Sequence, residues 1–462
     1  MPRLNPNSKI LIVGSGVFGI STALWLARSG YRDVTVLDMQ DTETAGYDPA
    51  VGIDSASADI NKIIRFSYGE EIEYQRLATQ AAGMWDEWNR QIVEESEDLP
   101  ESLKKTDKLW WKSGFLRLST TGELGEFELK TLRNMEREGI RDTQFRSDDT
   151  AERFGVHKAV LDSTAGFVEA YKSCAFALCL AKKAGVKFIL HPMQGKVVSL
   201  DVTQEGKPAI KTADGLTHEG DLVVVAGGGW TPSLIPEADG LLETTAGSIA
   251  TIQLPKDRPD LWERFAPENF PVVTWGMKEG KGIYSFPRDG NGVIKVGYRG
   301  TKWTNYDDVE GRRISVPKTE HVTEKKEKNL PLTSIAAIKE YISVNMPELA
   351  EFGISSTKLC WYTDSIDNSF VVDFVPGRPG LAIASGGSGH GFKFLPILGR
   401  EVVKILEGNG NETVYGNMWR WRHSTTPKRN GLEEGEDGPR VLAKQKMSSE
   451  VDWSFLSGSS KL

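Results

Sequence analysis

The feature that most constrains the fold is a Gly-rich turn between a short strand and a helix near the N-terminus. Residues 9–13 (KILIV) form an apolar run, residues 14–19 read Gly-Ser-Gly-Val-Phe-Gly, and residues 20–28 follow a helical pattern. A second strand, residues 34–37, ends at Asp38. In such a βαβ unit the glycines permit a tight turn and close approach of a pyrophosphate, and the final carboxylate can bind ribose hydroxyls. The predicted dinucleotide-binding residues are Gly14, Ser15, Gly16, Val17, Phe18, Gly19 and Asp38.

Two further strands are followed by glycines much later in the chain. Residues 221–226 (DLVVVA) precede three glycines, and residues 381–384 precede a Gly-rich turn at 385–393 that leads into a helical run at 395–406. A second Gly-rich turn before a helix supplies a second set of backbone amides for an anion. We therefore predict an α/β fold whose doubly wound parallel sheet is assembled from N-terminal, middle and C-terminal segments.

The segments between these units predict a second, β-rich α+β domain. Residues 247–254, 282–287 and 293–298 alternate or are rich in β-branched and aromatic residues, as in antiparallel strands. The helical pattern at 70–92 carries Trp85 and Trp88, for which core packing is expected. The predicted cofactor domain comprises residues 1–90, 150–240 and 355–430, the substrate domain residues 91–149 and 241–354, and a solvated C-terminal arm residues 431–462.

Composition excludes several classes of protein. The 462 residues include 56 Lys+Arg and 64 Asp+Glu, and the net charge of −8 argues against a nucleic-acid-coating protein. No apolar run reaches the roughly 18 to 20 residues of a membrane span, and Met1–Lys9 lacks a secretory signal. The three cysteines, Cys174, Cys179 and Cys360, are too few for a disulfide framework. We expect a soluble, unsecreted protein that binds neither nucleic acid nor membrane and is a monomer.

Five motifs in order resemble the FAD amine oxidases that include sarcosine oxidase, saccharopine or pipecolate oxidase and fructosyl amino acid oxidase. They are Gly14–Gly19 with Asp38, Ser57–Arg65 (SADINKIIR), Lys295–Arg299 (KVGYR), Cys360–Tyr362 (CWY) and Gly389–Lys393 (GHGFK). The resemblance implies bound FAD and oxidation of a C–N bond by hydride transfer to flavin N5. Oxygen would be reduced to H2O2, and the imine product would be hydrolysed or cyclised. It also implies cofactor contacts, which we place at Ser57, Lys62, Val197, Gly389, Gly391, Phe392 and Lys393.

The resemblance assigns a special role to one cysteine. Cys360 matches the position at which sulfur is bonded to the flavin 8α-methyl group, and a thiolate is the nucleophile that such a bond requires. From the residues alone, Cys360 could equally be a buried structural thiol. Cys174 and Cys179 lie in the helical pattern at 173–183, and we expect both to be core residues.

Four basic residues take catalytic or binding roles by resemblance. Lys295 matches a lysine near flavin N5 that promotes the reaction with O2, and a fixed cation there would stabilise superoxide. An edge-strand lysine facing solvent is the alternative. Lys62, if helical, shares a face with Arg65; the resemblance places Lys62 close to the flavin, as a second catalytic group. Arg65 and Lys393 match the partners of the substrate carboxylate, although Lys62 and Arg65 could also be solvated charges on a helix.

Departures from the sarcosine oxidase pattern indicate a larger substrate. Ala58 and Arg299 stand where that branch has histidines, and an arginine can bind a further carboxylate in bidentate fashion. Tyr362 matches a tyrosine at the substrate, although packing beside Trp361 would explain it as well. We expect a secondary amine or N-substituted amino acid, similar to saccharopine, pipecolate or a fructosyl amino acid.

The last three residues, Ser460-Lys461-Leu462, form a peroxisomal address, which predicts an import receptor as partner and the peroxisome as location. Three other functions stay open: a flavin dehydrogenase that passes electrons to a carrier, an oxidative tailoring enzyme for an N-methyl amine, and a non-catalytic nucleotide-binding protein. Motifs for phosphate-loop, serine-hydrolase and zinc-protease chemistry are not found in the sequence, and the expected reaction needs no metal.

Overall fold

The computed structural model describes residues 4–44, 46–49, 53, 55–94, 99–147, 158–277, 280–319, 329–423 and 427–455. The tail Ser460–Leu462, on which the peroxisomal prediction depends, lies outside the described residues. None of the helices within these ranges has the length and hydropathy of a membrane span.

Both strands and helices occur along the whole length of the described chain. The strands are β1 (Lys9–Val13), β2 (Asp33–Asp38), β3 (Asn61–Ile64), β4 (Trp110–Trp111), β5 (Phe115–Leu118), β6 (Gln144–Arg146), β7 (Ala159–Asp162), β8 (Gly166–Glu169), β9 (Lys187–Leu190), β10 (Val197–Val202), β11 (Pro208–Thr212), β12 (Thr217–Glu219), β13 (Leu222–Val225), β14 (Leu242–Gln253), β15 (Val272–Trp275), β16 (Ile283–Ser285), β17 (Val293–Trp303), β18 (Tyr306–Val309), β19 (Arg312–Ser315), β20 (Ser356–Ser365), β21 (Val371–Phe374) and β22 (Leu381–Ser385). The α-helices are α1 (Val17–Arg28), α2 (Ile72–Glu94), α3 (Glu126–Arg137), α4 (Ala170–Lys183), α5 (Thr231–Leu234), α6 (Pro259–Arg264), α7 (Leu332–Asn345), α8 (Leu398–Lys404) and α9 (Val414–Trp419).

A six-stranded sheet joins distant parts of the chain in the order β21-β22-β13-β1-β2-β9. Strands β22, β13, β1, β2 and β9 pair in parallel, and β21 adds an antiparallel edge. Ile12, at the centre of the sheet, lies beside Val36 on one side and Val224 on the other. Because both faces of such a sheet are covered, its central strands are continuously apolar. The predicted doubly wound sheet built from distant segments is confirmed.

A second sheet has eight strands in the order β20-β14-β17-β16-β15-β5-β7-β6, and most neighbouring strands are antiparallel. The predicted strands at 247–254, 282–287 and 293–298 correspond to parts of β14, β16 and β17. Two of its strands, β7 and β20, come from segments that the sequence placed in the cofactor domain. Strand β20 belongs to this sheet because it pairs with β14 along its whole length, so the predicted boundary at 355 does not separate the sheets.

The two faces of the eight-stranded sheet have different environments. On one face Ile294, Val296 and Ala250 form a core with Ile335 and Ile338 of α7. Alternate residues point to the opposite face, so Lys295, Gly297 and Arg299 of β17 lie on that side of the sheet. This second face carries the polar residues of the candidate site.

Three expectations about individual segments can be compared with the structure. The helical pattern at 70–92 is α2, and the buried rings of Trp85 and Trp88 pack edge to face with centroids 5.1 Å apart. Cys174 is fully buried in α4, as expected. Cys179 lies in the same helix and is only partly buried.

Residues 431–455 are only in part the solvated C-terminal arm that the sequence predicts, since exposed residues alternate with buried ones. Leu432, Val441 and Leu442 are buried, and the segment forms short 3-10 turns against the protein. Arg440 donates to Glu243 of β14 at 2.8 Å, with both side chains almost completely buried. The high charge of this segment suggests solvation, but part of it forms buried ion pairs.

Removing one partner of this buried pair should destabilise the fold. Because Arg440→Ala leaves the Glu243 carboxylate buried and unpaired, we expect the free energy of unfolding to fall by about 3 kcal/mol. Arg313→Ala is the matched control, since its pair with Glu436 is half exposed and should contribute at most about 1 kcal/mol. Denaturant unfolding of both variants measures the difference, and equal losses would contradict this account. Adding Glu243→Gln to Arg440→Ala should recover part of the stability.

Candidate active site

A cavity of about 1030 Å³ lies at the carboxyl ends of the parallel strands and is also lined by the second sheet. Its wall includes Gly14 after β1, Asp38 at the end of β2, Ala226 after β13 and Ser385 at the end of β22. Ligands of open parallel sheets bind at this edge, where the loops that follow the strands converge. The volume lies at the upper end of the range for small-molecule sites.

The first Gly-rich turn leaves room for a phosphate group beside the backbone. Gly14 has φ +105°, and a Cβ there would lie 2.5 Å from the carbonyl oxygen of Ala226. A Cβ at Gly19 would lie 1.9 Å from the carbonyl oxygen of Gly14, so helix α1 can approach the strand only with glycine at this position. Helix α1 begins at Val17, whose amide donates to the Ser57 hydroxyl at 3.2 Å, and the N-cap Gly16 supplies no side-chain cap, so other amides of the turn stay available to an anion. These residues fit the pyrophosphate of a dinucleotide.

Asp38 organises the turn beside the cavity. One of its carboxylate oxygens accepts hydrogen bonds from the Ser15 amide (2.6 Å) and hydroxyl (2.9 Å), and the other accepts from the Gln40 amide (2.9 Å). Tyr47 donates to the Ser15 carbonyl at 2.6 Å and closes the turn from the other side. Asp38 is therefore placed where the dinucleotide fingerprint requires an acid, and its contact with a ribose stays a prediction.

Most of the predicted site residues share this cavity. The lining residues among them are Gly14, Ser15, Gly16, Val17, Phe18, Asp38, Ser57, Lys62, Arg65, Val197, Arg299, Cys360, Tyr362, Gly389, Gly391, Phe392 and Lys393. Gly19 and Lys295 are not among the residues that line it. Gly19 packs behind the turn, and Lys295 is completely buried behind the wall, with its ammonium 4.7 Å from the ring centre of the lining residue Phe286.

The segment Ser57–Arg65 is not helical, contrary to the geometry considered for Lys62 and Arg65. Residues 61–64 form β3, in which Lys62 lies opposite Val168 of β8. The β-branched pair Ile63 and Ile64 favours a strand, and pairing with β8 supplies the backbone hydrogen bonds. Lys62 and Arg65 nevertheless both line the cavity. Lys62 lies within the strand, and Arg65 follows its last residue.

Asp59 holds two ammonium groups together. Its Oδ2 accepts a hydrogen bond from Lys295 at 2.7 Å and a short one from Lys62, while Lys295 also donates to the Asn61 carbonyl at 2.7 Å. Asp59 is 1% exposed and Lys295 is 0% exposed. The interaction joins the chain segment before β3 to the centre of the eight-stranded sheet.

The charges of this cluster shift the pKa values of its members. Burial alone would raise the pKa of Asp59, but the ammonium groups of Lys295, Lys62 and Lys358 outweigh it and hold the pKa well below its usual range. Burial lowers the pKa of Lys295 to about 8, although Asp59 opposes the shift. Burial also acts to lower the pKa of Lys62, but Asp59 reverses the effect and raises it. At neutral pH the cluster therefore has more positive than negative charges.

The register of the eight-stranded sheet brings Cys360 to this cluster. Cys360 of β20 lies opposite Gly247 of β14, and its sulfur is 3.8 Å from the Lys62 ammonium. Arg299 of β17 packs nearby, and a Cβ at Gly247 would lie 3.6 Å from the Arg299 side chain. Cys360 is buried but lines the cavity, so its sulfur is placed on the wall beside a cation.

A second cluster of cations surrounds Tyr68. The Arg65 guanidinium lies 4.5 Å and the Lys393 ammonium 5.1 Å from the centre of its ring, and Lys393 donates to its hydroxyl at 2.8 Å. The Arg299 guanidinium lies over the ring of Tyr362 at 5.3 Å and points to the carbonyl of Gly389 at 3.3 Å. Burial, Arg65 and Arg299 lower the pKa of Lys393 well below its ordinary value.

None of these three basic side chains forms a direct ion pair in the part of the chain that the structure describes. Burial would lower the pKa of Arg299, but Tyr362 and the Asp364 carboxylate outweigh it and raise that pKa. No ion pair within 4.0 Å links Arg65, Arg299 or Lys393 to a carboxylate of those residues. Buried charges are normally paired, and Lys393 is only 2% exposed. The cavity is therefore built to receive negative charge.

Sequence reasoning missed three residues of the site. Asp59 lies within the segment Ser57–Arg65, and the position of an aspartate between predicted cofactor-binding residues could have identified it as a site residue. Tyr68 gave no motif signal. Tyr284 of β16 lies opposite Gly297, where a Cβ would meet its ring at 2.1 Å, and only the strand register reveals this contact.

Comparisons with known proteins agree with this geometry. Residues 9–405 match the family model described as FAD dependent oxidoreductase. The chain is 26% identical over 443 residues to L-saccharopine oxidase of Schizosaccharomyces pombe, covering 89% of this chain and 93% of that protein. It is 24% identical over 411 residues to monomeric sarcosine oxidase of a Bacillus species, covering 87% of this chain and 92% of that protein.

Solved structures show the same architecture. A modified fructosyl peptide oxidase from Aspergillus nidulans superimposes with a TM-score of 0.78 at 28% identity, covering 96% of this chain and 99% of that chain. A fructosyl peptide oxidase from E. terrenum gives a TM-score of 0.76 at 25% identity, covering 97% and 99%. The similarity covers nearly the whole chain and therefore both sheets.

Proposed function

The chain belongs to the FAD-dependent oxidoreductase family, and on that premise we propose that it is an oxidase of secondary amines that bear a carboxylate. FAD, held by the Gly-rich turn at 14–19 and Asp38, would supply the redox chemistry, which is acceptance of a hydride from the carbon next to the amine nitrogen and reduction of O2 to H2O2. The protein's part is to bind the substrate, orient it and hold charge near it.

The observation that carries this proposal is the group of basic side chains on the cavity wall that have no direct ion pair among the described residues. Arg65 and Lys393 flank the Tyr68 ring, and both line the cavity. A substrate carboxylate between them would make charge-assisted hydrogen bonds to both side chains and neutralise a buried positive charge. Two anchoring groups also restrict the rotation of the substrate, which fixes the carbon next to its nitrogen in one place.

The substrate class follows from the relatives and from Arg299. L-saccharopine oxidase and fructosyl peptide oxidase are named for N-substituted amino acids or peptides. Arg299 lies on the cavity wall and forms no direct ion pair among the described residues, although Asp364 contributes negative charge near it. A second substrate carboxylate would give its guanidinium a direct partner. We propose a saccharopine-like amino acid that carries more than one carboxylate, and pipecolate-like or fructosyl amino acids are the next candidates.

A peroxide-coupled screen tests the proposal. The enzyme is assayed with saccharopine, pipecolate, fructosyl amino acids and N-methyl amino acids, and both substrate loss and H2O2 are measured. An oxidase releases H2O2 in equal amount to the substrate consumed. Substrate loss with an artificial electron acceptor, but without peroxide, would instead identify a dehydrogenase. Activity confined to N-methyl amines would indicate a tailoring enzyme.

We propose a covalent bond between Cys360 and the flavin. Support comes from its position on the cavity wall, where its sulfur lies 3.8 Å from Lys62, and from the resemblance of the Cys360–Tyr362 motif. Acid-precipitated protein should therefore remain yellow, because a thioether survives unfolding. Cys360→Ser should bind FAD and release it all into the supernatant, and Cys174→Ser is the matched control that should keep it. Free flavin in the wild-type supernatant would contradict the bond.

The charge on Lys295 and Lys62 should assist the reaction with O2. The fixed cations would stabilise the negative charge that develops on oxygen, and loss of one such group costs about 3 kcal/mol, roughly a hundredfold in rate. Since Lys295 has a pKa of about 8, the rate at which air reoxidises the substrate-reduced enzyme should fall as the pH rises through that value.

Stopped-flow absorbance of Lys295→Met and Lys62→Met separates the two lysines. If Lys295 is the main group, its variant should reoxidise about a hundredfold more slowly and lose the pH dependence, while anaerobic reduction changes by less than about tenfold. A larger effect in Lys62→Met would assign the oxygen reaction to the lysine on the cavity wall.

Arg299→Ala should distinguish substrates with several carboxylates from those with one. Loss of one charge-assisted contact costs about 1.5 to 3 kcal/mol, so kcat/KM should fall tenfold or more for saccharopine and little for pipecolate. Steady-state assays with both substrates in one preparation provide the internal control. Equal losses would show that Arg299 does not bind a second carboxylate.

We also propose that the protein acts in the peroxisome, where H2O2 is removed, through recognition of Ser460-Lys461-Leu462 by the import receptor. Microscopy of an N-terminally labelled chain, with and without these three residues, tests this localisation. Import that does not depend on them would contradict it.

A further inference from the structure

Lys393 makes an unusual set of contacts for a buried lysine. Its ammonium nitrogen donates to the Tyr68 hydroxyl at 2.8 Å and to the His390 carbonyl at 3.1 Å. Both acceptors are neutral, and no carboxylate of the described residues forms an ion pair with it. The residue lines the cavity, so the remaining position on its side-chain nitrogen is available to a ligand.

The hydrogen bonds that link Lys393, Tyr68 and His390 have a defined direction from donor to acceptor. His390 Nε2 lies 2.8 Å from the carbonyl of Asn368, which can only accept, so this nitrogen carries the ring proton. Burial, Lys393 and nearby arginines lower the pKa of His390, which keeps the ring neutral. The Tyr68 hydroxyl, 3.2 Å from Nδ1, therefore donates to His390 and presents its oxygen to Lys393.

The charged and titratable groups around Lys393 come from four parts of the chain. Arg65 follows β3, Arg299 belongs to β17, Tyr74 of α2 stacks on Tyr68 at 5.5 Å, and His390 precedes Lys393 in the Gly-rich turn. Arg65 and Arg299 repel a second positive charge, and Tyr68, Tyr74 and His390 are neutral at pH 7. The ligand-free site therefore favours the uncharged amine of Lys393.

Resting on the proposed function, we propose that Lys393 is the proton acceptor for the substrate ammonium group when the substrate carboxylate binds beside Arg65. The N–H bond of the ammonium breaks, an N–H bond forms on Lys393 Nζ, and no electrons are exchanged. The products are a neutral amine, whose lone pair can assist loss of hydride from the adjacent carbon, and an ammonium ion paired with the carboxylate. Tyr68 and His390 are positioning residues that keep Lys393 oriented.

This arrangement makes carboxylate binding dependent on a proton. A carboxylate next to Lys393 stabilises its charged form and raises its pKa, so a ligand without an ammonium group must draw the proton from solution. The zwitterionic substrate instead brings the proton with it. Net proton uptake therefore differs between the two kinds of ligand.

Calorimetric titration of the FAD-loaded enzyme with cyclohexanecarboxylate, an acid that has no amine, tests the proposal without turnover. The binding enthalpy is measured near pH 8 in several buffers, and its slope against the buffer ionisation enthalpy gives the number of protons taken up. We expect about one proton for the wild type. Lys393→Arg, which keeps a charge that does not titrate, should still bind and should take up none.

The outcomes separate this inference from the proposed function. Binding to the wild type without proton uptake would overturn the role of Lys393 and leave the carboxylate site intact. Failure of the carboxylate to bind at all would overturn both. Equal uptake in the wild type and Lys393→Arg would place the proton on another group and also reject the inference.

A pH profile gives a second readout. In the wild type, kcat/KM should fall at high pH as the substrate in solution loses its ammonium proton. The substrate amine then brings no proton to Lys393, and the ammonium ion that pairs with the substrate carboxylate is not formed. Lys393→Arg must bind the free amine, so its kcat/KM should keep rising through the same ionisation. Tyr68→Phe, which removes the hydroxyl that orients Lys393, should lower kcat/KM and retain the wild-type profile. Parallel profiles for the wild type and Lys393→Arg would contradict proton transfer to Lys393.

Discussion

The site depends on one buried carboxylate, Asp59, that binds the ammonium groups of Lys62 and Lys295. Removal of these charges from water costs several kcal/mol per ion, and only close contact between them can offset that cost. Asp59 precedes β3, whereas Lys295 lies at the centre of the eight-stranded sheet, so the interaction holds the two parts of the molecule in one arrangement. That arrangement determines where Cys360 and the cavity wall lie.

Asp59 compensates only part of the positive charge around the cavity. Lys62, Lys295 and Lys358 all act on it, and Arg65 and Arg299 add further charge without a direct ion pair among the described residues, beside Lys393, whose pKa is lowered by burial and by these two arginines. A fold selected for stability alone would rarely leave such an excess buried. The excess is explained if a flavin that gains electrons and a substrate that carries carboxylates both bind there, since each brings negative charge. The relatives, which are oxidases of amines and amino acids, are consistent with this explanation.

The parallel and the antiparallel sheet position different parts of the site, because their hydrogen-bonding patterns differ. The parallel sheet ends all of its central strands at one edge, where the Gly-rich turns present backbone amides to a dinucleotide. The antiparallel sheet alternates its residues between a core face on α7 and a polar face toward the cavity. A one-residue slip of β17 against β14 would exchange Lys295 for Val296 at the cavity side and place a charge in the α7 core. Strand register is therefore a functional constraint as well as a structural one.

The sequence by itself determined the parts of this protein that depend on local pattern. The turn Gly14–Gly19 and Asp38 identify the dinucleotide site because their spacing is imposed by a single βαβ unit, and short apolar strands followed by glycines identify the parallel sheet. Local pattern could not show that residues 61–64 form a strand, that β20 joins the second sheet or that part of the segment 431–455 packs against the protein. Those outcomes depend on pairing with β8, β14 and Glu243, which are remote in sequence. Only the tertiary structure decided that Asp59 is shared by two lysines and that Lys393 is buried without a carboxylate partner in the described chain, because burial and electrostatic pairing are properties of the whole fold.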